Sequence, residues 1–433
     1  MREGWPQVRG AVPQRLAEEV RRYLECGQLR YGFVHLECDE CRRATLVAFS
    51  CKSRGWCPSC TTRRAVELGE KLKAELPLVA HRQWTLSLPR PLRLAVVKQP
   101  GLLKVVEQAL VRAVWRQQRA AAKRLGARGR HLGGAVAMTQ WFGSALQLTP
   151  HLHVLVPEAL WEADTGAVTP LPPPTEDDVE AVVKRVVRQV RAGFEEAQAD
   201  AGWEDDAELQ ALQAEAVQQR LVLEGEAPAT KRRRLAGAQG FSLHADTWVH
   251  GHDRDGLGRL GRYGARGPLA EERLSQLEDG RYRYQTRRGT TLTMTAGQLV
   301  RRLLVLVPPA HQHLTAFHGV YAPNAKLRAT VLRPPEEVEP PPATAPAMQL
   351  SSGKGSGSTA PSQQRRPRLD WATLQARTFG IDVLRCSCGG ALKVHSVVTS
   401  ARTAEEVLRN LGLWQPRIML PPPQGPPQLE LLD

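Results

Sequence analysis

Thr149-Pro150-His151-Leu152-His153-Val154-Leu155-Val156 is the stretch that decides how this chain reads. Apolar residues fill it and two histidines alternate with them, the pattern of a buried β-strand. On a strand, residues i and i+2 point to one face, about 7 Å apart along the chain. His151 and His153 therefore project side by side and can grip one metal ion. Two polar residues on a solvated strand face would give the same letters, so the surrounding sequence has to carry the decision.

A formal charge of +15 over 433 residues, with a pI near 9.8, selects a polyanionic partner, nucleic acid before anionic membrane. The length allows two to four domains. No run of about 18 apolar residues is present to span a bilayer. The Met1-Arg2-Glu3-Gly4-Trp5 start lacks the apolar core of a signal peptide. The expectation is a soluble cytoplasmic protein associated with the nucleoid. Eight cysteines in such a chain point to metal more than to disulfides. A G-x-x-x-x-G-K-[ST] loop is missing, so no nucleotide cofactor is expected.

Two C-x-x-C knuckles, Cys38-Asp39-Glu40-Cys41 and Cys57-Pro58-Ser59-Cys60, are separated by 15 residues. Each is a tight turn presenting two thiolates, and four thiolates satisfy tetrahedral zinc. Cys26 and Cys51 are then surplus, as core residues or alternative ligands. Lys52, Arg54, Arg63 and Arg64 surround the second knuckle and suit either DNA phosphates or a solvated face.

Upstream of the knuckles, Pro13 to Gly27 reads as an amphipathic helix with Leu16, Val20, Tyr23 and Leu24 on one stripe. Beyond them, Gln83 to Leu88 alternates as a strand ended by Pro89, and Leu102 to Leu125 has the spacing of a long helix. Gly133 to Trp141 reads as a strand before the histidine strand. Thr175 with Asp178 forms a capping box for a basic helix through Ala197. Phe241 to Val249 is a strand carrying His244. Arg281–Thr286 and Thr291–Thr295 read as paired strands, and Gln298 to Val307 as an apolar helix. This irregular alternation lacks a βαβ rhythm and predicts an α+β domain with an antiparallel sheet. The expected organisation is a zinc domain over 1–80, a catalytic domain over 81–332, a Pro/Ser/Gly-rich linker over 333–368 and a small module with a frayed tail over 369–433.

A two-histidine metal site in a basic zinc protein suits metal-assisted attack on a phosphodiester, by water or by a side-chain hydroxyl. Of the tyrosines, only Tyr263 is framed by glycines and by Arg259, Arg262 and Arg266, a setting that exposes a phenol beside positive charge. A packed or merely exposed aromatic is the plainer alternative.

These residues bring the chain to a family. It resembles the insertion-sequence-ninety-one rolling-circle transposases of the HUH single-strand endonuclease superfamily. The likeness rests on Phe49-Ser50-Cys51-Lys52 with Cys57-Pro58-Ser59-Cys60, and on Arg82 to Pro89. It continues through Gln140-Trp141-Phe142-Gly143-Ser144 to His151-Leu152-His153, Phe241 to Ala245, Arg262-Tyr263, His318-Gly319-Val320 and Phe379 to Cys386. The resemblance implies an HUH-type antiparallel sheet flanked by helices, preceded by a zinc-binding, DNA-contacting domain. It implies Mg²⁺ or Mn²⁺ on His151 and His153, with a third ligand among Gln140, Glu158 and His244. Tyr263 would attack single-stranded DNA at a transposon end, leaving a 5′-phosphotyrosine and a free 3′-OH for transfer to target DNA, with Arg262 and Arg266 at the phosphates.

Two features depart from the family. Arg259 stands where some members carry a first tyrosine, which makes this a single-tyrosine chain. The C-terminal motif is Cys386-Ser387-Cys388-Gly389-Gly390 in place of C-x-x-C-G-G, and two thiolates one residue apart cannot fill a tetrahedral site alone. No metal is expected there. The alternative to an active transposase is a silent zinc-dependent DNA-binding protein derived from one.

Overall fold

The computed structural model describes residues 12, 14–53, 55, 57–199, 213, 214, 216, 217, 234–287, 289–309, 312–332, 369–414 and the backbone of 428–430. Arg54, Lys231-Arg232-Arg233, the 333–368 linker and most of the Pro-rich tail lie outside the described residues.

The zinc-binding part opens with α1 (Gln14–Glu25), whose Leu16, Val20 and Tyr23 stripe is buried as its spacing requires. Strands β1 (Phe33–Cys38) and β2 (Ala44–Ala48) follow, then α2 (Pro58–Glu75), capped by Cys57 with Pro58 in its first turn. The middle of the chain contributes β3 (His81–Ser87), α3 (Leu102–Arg124), β4 (Gly134–Phe142), β5 (Leu148–Pro157), α4 (Glu176–Ala199), β6 (Leu235–Ala238), β7 (Phe241–Val249), α5 (Arg254–Gly264) and β8 (Thr315–Gly319). Thr175 and Asp178 exchange the two 3.1 Å hydrogen bonds of the expected capping box at the start of α4. The end of the chain adds α6 (Trp371–Phe379), β9 (Leu392–Val398) and β10 (Gln428–Glu430).

The larger sheet has six strands in the order β8-β4-β5-β3-β7-β6, every neighbouring pair antiparallel. The α+β, antiparallel expectation holds. One face packs on α3 and α4, where Trp84, Leu86, Leu152 and Val154 meet Val106, Leu110, Val182 and Val186. On the other face Val136, Met138 and Leu155 meet Leu72 of α2 and Leu257 of α5. A sheet covered on both sides reads as nearly continuous apolar sequence, which is why the histidines of β5 stand out.

A second, four-stranded sheet runs β9-β1-β2-β10. Its outer strands come from the C-terminal end of the chain and its inner pair from the N-terminal end. Residues 369–414 thus pack as part of the zinc-binding layer, with β9 antiparallel to β1. Among the described residues no helix is long and apolar enough to cross a membrane.

Candidate metal centres and tyrosine site

His151 and His153 lie on the β5 face turned toward α2 and α5, their ring centroids 4.9 Å apart. Across the sheet, Gln140 of β4 and Ser87 of β3 stand opposite His151, while Met138 and Thr85 stand opposite His153. His151 Nδ1 donates to the Thr149 carbonyl at 2.8 Å, and His153 Nδ1 meets the Thr85 hydroxyl at 3.2 Å. Committing both Nδ1 atoms leaves Nε2 as the ligating nitrogen on each ring. His153 Nε2 is buried with no hydrogen-bond partner among the described residues, and so is Gln140 Oε1. Burial pushes both imidazoles below the ordinary histidine range. For His153 the nearby His151 and Arg266 deepen the shift. Neutral imidazoles are the form that binds metal. Two imidazole nitrogens and an amide oxygen make a donor set that fits a divalent cation.

Tyr263 sits in the last turn of α5, its ring edge-on to His153 with centroids 5.4 Å apart and planes at 85°. The guanidinium of Arg266 lies 5.1 Å from the Tyr263 ring centroid and 4.9 Å from that of Phe142. Arg287, at the tip of the hairpin joining Tyr282–Gln285 to Thr291–Met294, also lies 5.1 Å from the Tyr263 ring. Arg93 adds charge near His151. Sequence reading missed Arg93, Arg287 and the orienting Thr85.

Three contacts seat the tyrosine helix. Asp253 caps it, accepting from Gly256 N at 2.7 Å. Gln140 Nε2 donates to the carbonyls of Tyr263 (2.6 Å) and Gly264 (3.1 Å), tying the helix end to β4. Glycines let it approach its neighbours. A Cβ on Gly69 of α2 would lie 2.7 Å from Gly258 O, and one on Gly264 would lie 2.2 Å from Met138 Sδ.

The other expected site residues are placed as follows. Glu158 lies beyond the far end of β5, roughly 23 Å along the strand from His151. There it pairs with the buried Arg82 at 2.5 Å. A buried guanidinium needs that counter-charge, so the structure removes Glu158 from the ligand candidates. His244 stands opposite Thr85, two strands from His153. Arg262 turns to Glu70 of α2 at 3.5 Å. Arg64 holds the carbonyls of Ser53 and Lys52, bracing the cysteine loop, while Lys52 is exposed.

The two C-x-x-C knuckles do not share a site. Cys57 and Cys60 converge with Cys26 and Cys51, and the four sulfur ligand atoms lie within 4.8 Å of one another. Three of the Sγ pairs are 3.4 Å (Cys51–Cys60), 3.7 Å (Cys57–Cys26) and 3.9 Å (Cys26–Cys60) apart. A tetrahedron with 2.3 Å metal–sulfur bonds has edges of about 3.8 Å. Backbone N–H groups of Cys51 and Ser53 point at the Cys26 and Cys51 sulfurs at 3.3 and 3.4 Å. Contacts among the four thiols push Cys51 and Cys57 above the ordinary thiol range and hold Cys26 and Cys60 below it, and a cation would let all four ionise together. Cys26 and Cys51, left open by the sequence, are thus the partners of the second knuckle. Cys38 and Cys41 face Cys386 and Cys388 instead.

A four-cysteine cluster suited to structural zinc thus accompanies an antiparallel sheet that presents two histidines and a tyrosine, and the family matches give the class, a DNA-processing transposase. Residues 134–328 match the family described as "Putative transposase", and residues 1–88 match the "Transposase zinc-binding domain" of the insertion-sequence-ninety-one type. Over these two segments the chain is similar to transposases of the insertion-sequence-ninety-one type. No curated protein and no solved structure matches it.

Proposed function

We propose that this transposase nicks single-stranded DNA at transposon ends and joins it to target DNA through a covalent 5′-phosphotyrosine at Tyr263. One observation carries the reading: the Tyr263 ring lies edge-on to His153, beside two imidazoles whose Nδ1 atoms are already committed. Mg²⁺ or Mn²⁺ held by His151, His153 and the Gln140 amide oxygen would polarise the scissile phosphate and neutralise developing charge.

The chain's own groups account for the remaining steps. The Tyr263 oxygen forms a bond to phosphorus and its proton passes to water. The bond to the 3′ oxygen breaks, and that oxygen leaves as a free 3′-OH after taking up a proton. Arg266 and Arg287, stacked over the tyrosine ring, supply charge-assisted hydrogen bonds to the non-bridging oxygens. A 3′-OH of target DNA then attacks the phosphotyrosine and releases the phenol. One phosphodiester is exchanged for another, so the transfer needs no ATP. The adjoining cleft is lined by Arg64, Thr139, Trp141 and Arg266, which places guanidinium charge beside the tyrosine site.

The test is a denaturing gel of the full chain with Mg²⁺ or Mn²⁺ and labelled single-stranded DNA from the element's terminus. An adduct is expected that disappears with chelator and in Tyr263→Phe. An adduct surviving in Tyr263→Phe would refute the assignment, and DNA binding by the native chain with no adduct would select the silent DNA-binding reading.

A further inference from the structure

We propose that Cys38, Cys41, Cys386 and Cys388 form a second zinc centre, assembled from the two ends of the chain and separate from the one inside the N-terminal zinc-binding domain. Two of these thiols lie outside both segments matched by the family models.

The sulfur geometry is that of a metal site. Cys38 Sγ lies 3.5 Å from Cys388 Sγ, Cys41 Sγ lies 3.6 Å from Cys386 Sγ, and all four sit within 4.8 Å of one another. The tetrahedral edge of a zinc tetrathiolate is about 3.8 Å. A disulfide would bring two sulfurs to about 2.05 Å, and all four cysteines are free. The C-x-C spacing that disqualified a local knuckle is no obstacle, because each thiol faces a different cysteine of the N-terminal turn.

The backbone around the sulfurs is built for them. On the N-terminal side Arg42 N donates to Cys38 O at 3.0 Å, and Arg42 takes a left-handed φ of 58° to close the turn. On the C-terminal side Cys386 N donates to Gly390 O at 2.8 Å, and Gly390 N points at Cys388 Sγ at 3.4 Å. The two glycines have separate reasons. Gly389 has φ 95°, a conformation L side chains rarely adopt. Gly390 leaves room for sulfur, since a Cβ there would lie 2.7 Å from Cys38 Sγ. Arg43 reaches across to the Ser387 hydroxyl at 2.6 Å, and Lys393 pairs with Asp39 at 2.9 Å, placing positive charge beside four thiolates.

Four protein thiolates leave no open position, so the centre is structural. It pins β9 to β1, whose register sets Cys38 opposite Leu392. The module held this way carries α6, whose Arg377 reaches Glu70 of α2. Glu70 also holds Arg262, the residue before Tyr263. The second zinc thereby fastens the C-terminal module over the helix that seats the tyrosine.

The test is zinc content of the full chain, purified with reductant and measured by elemental mass spectrometry. The native chain is expected to carry two zinc ions, and the Cys386→Ser/Cys388→Ser double variant one. Gly390→Val keeps all eight thiols and should also fall to one, its remaining zinc reporting an intact N-terminal centre. On Co²⁺ replacement, the sulfur-to-cobalt charge-transfer absorbance should halve in both variants. One zinc in the native chain, two retained in the double variant, or disulfides found among these four cysteines by thiol titration of the denatured native chain would each overturn the proposal.

Discussion

Substituting Gly69 by alanine should harm strand cleavage far more than it harms stability. Gly69 of α2 crosses the tyrosine helix, and a Cβ there would lie 2.7 Å from the carbonyl oxygen of Gly258, a backbone atom that cannot rotate away. Carbon and carbonyl oxygen rest about 3.3 Å apart, so the helices must separate by roughly 0.6 Å. Overpacking of this kind costs about 1–3 kcal/mol. Replacing a helical glycine offsets up to about 1 kcal/mol of that. The net loss of stability is then about 0–2 kcal/mol. Phosphoryl transfer is less forgiving, because a shift of about 1 Å in a reacting group can cost on the order of 100-fold. About a 10-fold slower adduct formation is expected, read as a single-turnover rate with the thermal midpoint measured alongside. Gly261→Ala should behave alike, its Cβ meeting Leu72 Cδ1 at 2.8 Å and Gly69 Cα at 3.1 Å. Gly258→Ala is the control. Its Cβ finds nothing nearer than 3.5 Å, so the rate should hold and the midpoint stay or rise. A native rate in Gly69→Ala, or equal losses in Gly258→Ala, would refute the idea that this crossing positions Tyr263.

Further outcomes follow from single contacts. Glu158→Gln should lower stability by about 3 kcal/mol through the half-broken buried pair with Arg82, yet leave Mn²⁺ affinity unchanged. A loss of Mn²⁺ binding by calorimetry would return Glu158 to the ligand set. Gln140→Met leaves the Tyr263 and Gly264 carbonyls without their donor, at about 1–3 kcal/mol, and should weaken both the thermal midpoint and Mn²⁺ affinity. Unchanged affinity would make Gln140 a tether for the helix and nothing more. His81, buried and bonded to Val79 O and the Tyr321 hydroxyl, is pushed down to about 4 by burial. The folded value lies below the unfolded one of about 6.5, so the fold favours the neutral ring. Its contribution is complete above pH of about 6.5 and lost as pH falls toward 4, on the order of 3 kcal/mol in all. The pH dependence of unfolding should be flatter in His81→Gln by that difference. Parallel curves would contradict it.

Most of the elements were legible because their patterns are local. The buried stripe of α1, the alternation in β3 and β7, and the Thr175–Asp178 box all lie within a few residues of themselves. Tyr263 stood out by its neighbours, but its helix did not. Gly256, Gly258, Gly261 and Gly264 within eleven residues weaken a helix by propensity and read as loop. Tertiary contact reverses that reading, since those glycines are what let α5 lie against Gly69, Leu72 and Met138. Arg262 read as a phosphate ligand for a similar reason. Nothing local announces that Glu70, far away in the chain, will claim it.

The cysteines went wrong in a more instructive way. Knuckle spacing constrains two thiolates at a time and says nothing about which pairs meet. Cys57-x-x-Cys60 opens α2, so its partners had to lie where that helix begins, against α1 and the loop at Cys51. Cys38-x-x-Cys41 closes the β1–β2 turn at the opposite side of the small sheet, beyond reach of the first set and next to the incoming β9. The split follows from strand direction and helix placement, which no spacing rule contains. It also gives the zinc-binding layer a part in positioning the tyrosine. The Cys57 end of α2 is fixed by one thiolate cluster. The middle of that helix, at Gly69 and Leu72, carries the tyrosine helix. A cluster at one end of α2 thus bears on where Tyr263 sits, and the zinc-binding domain acts as a scaffold for the tyrosine helix.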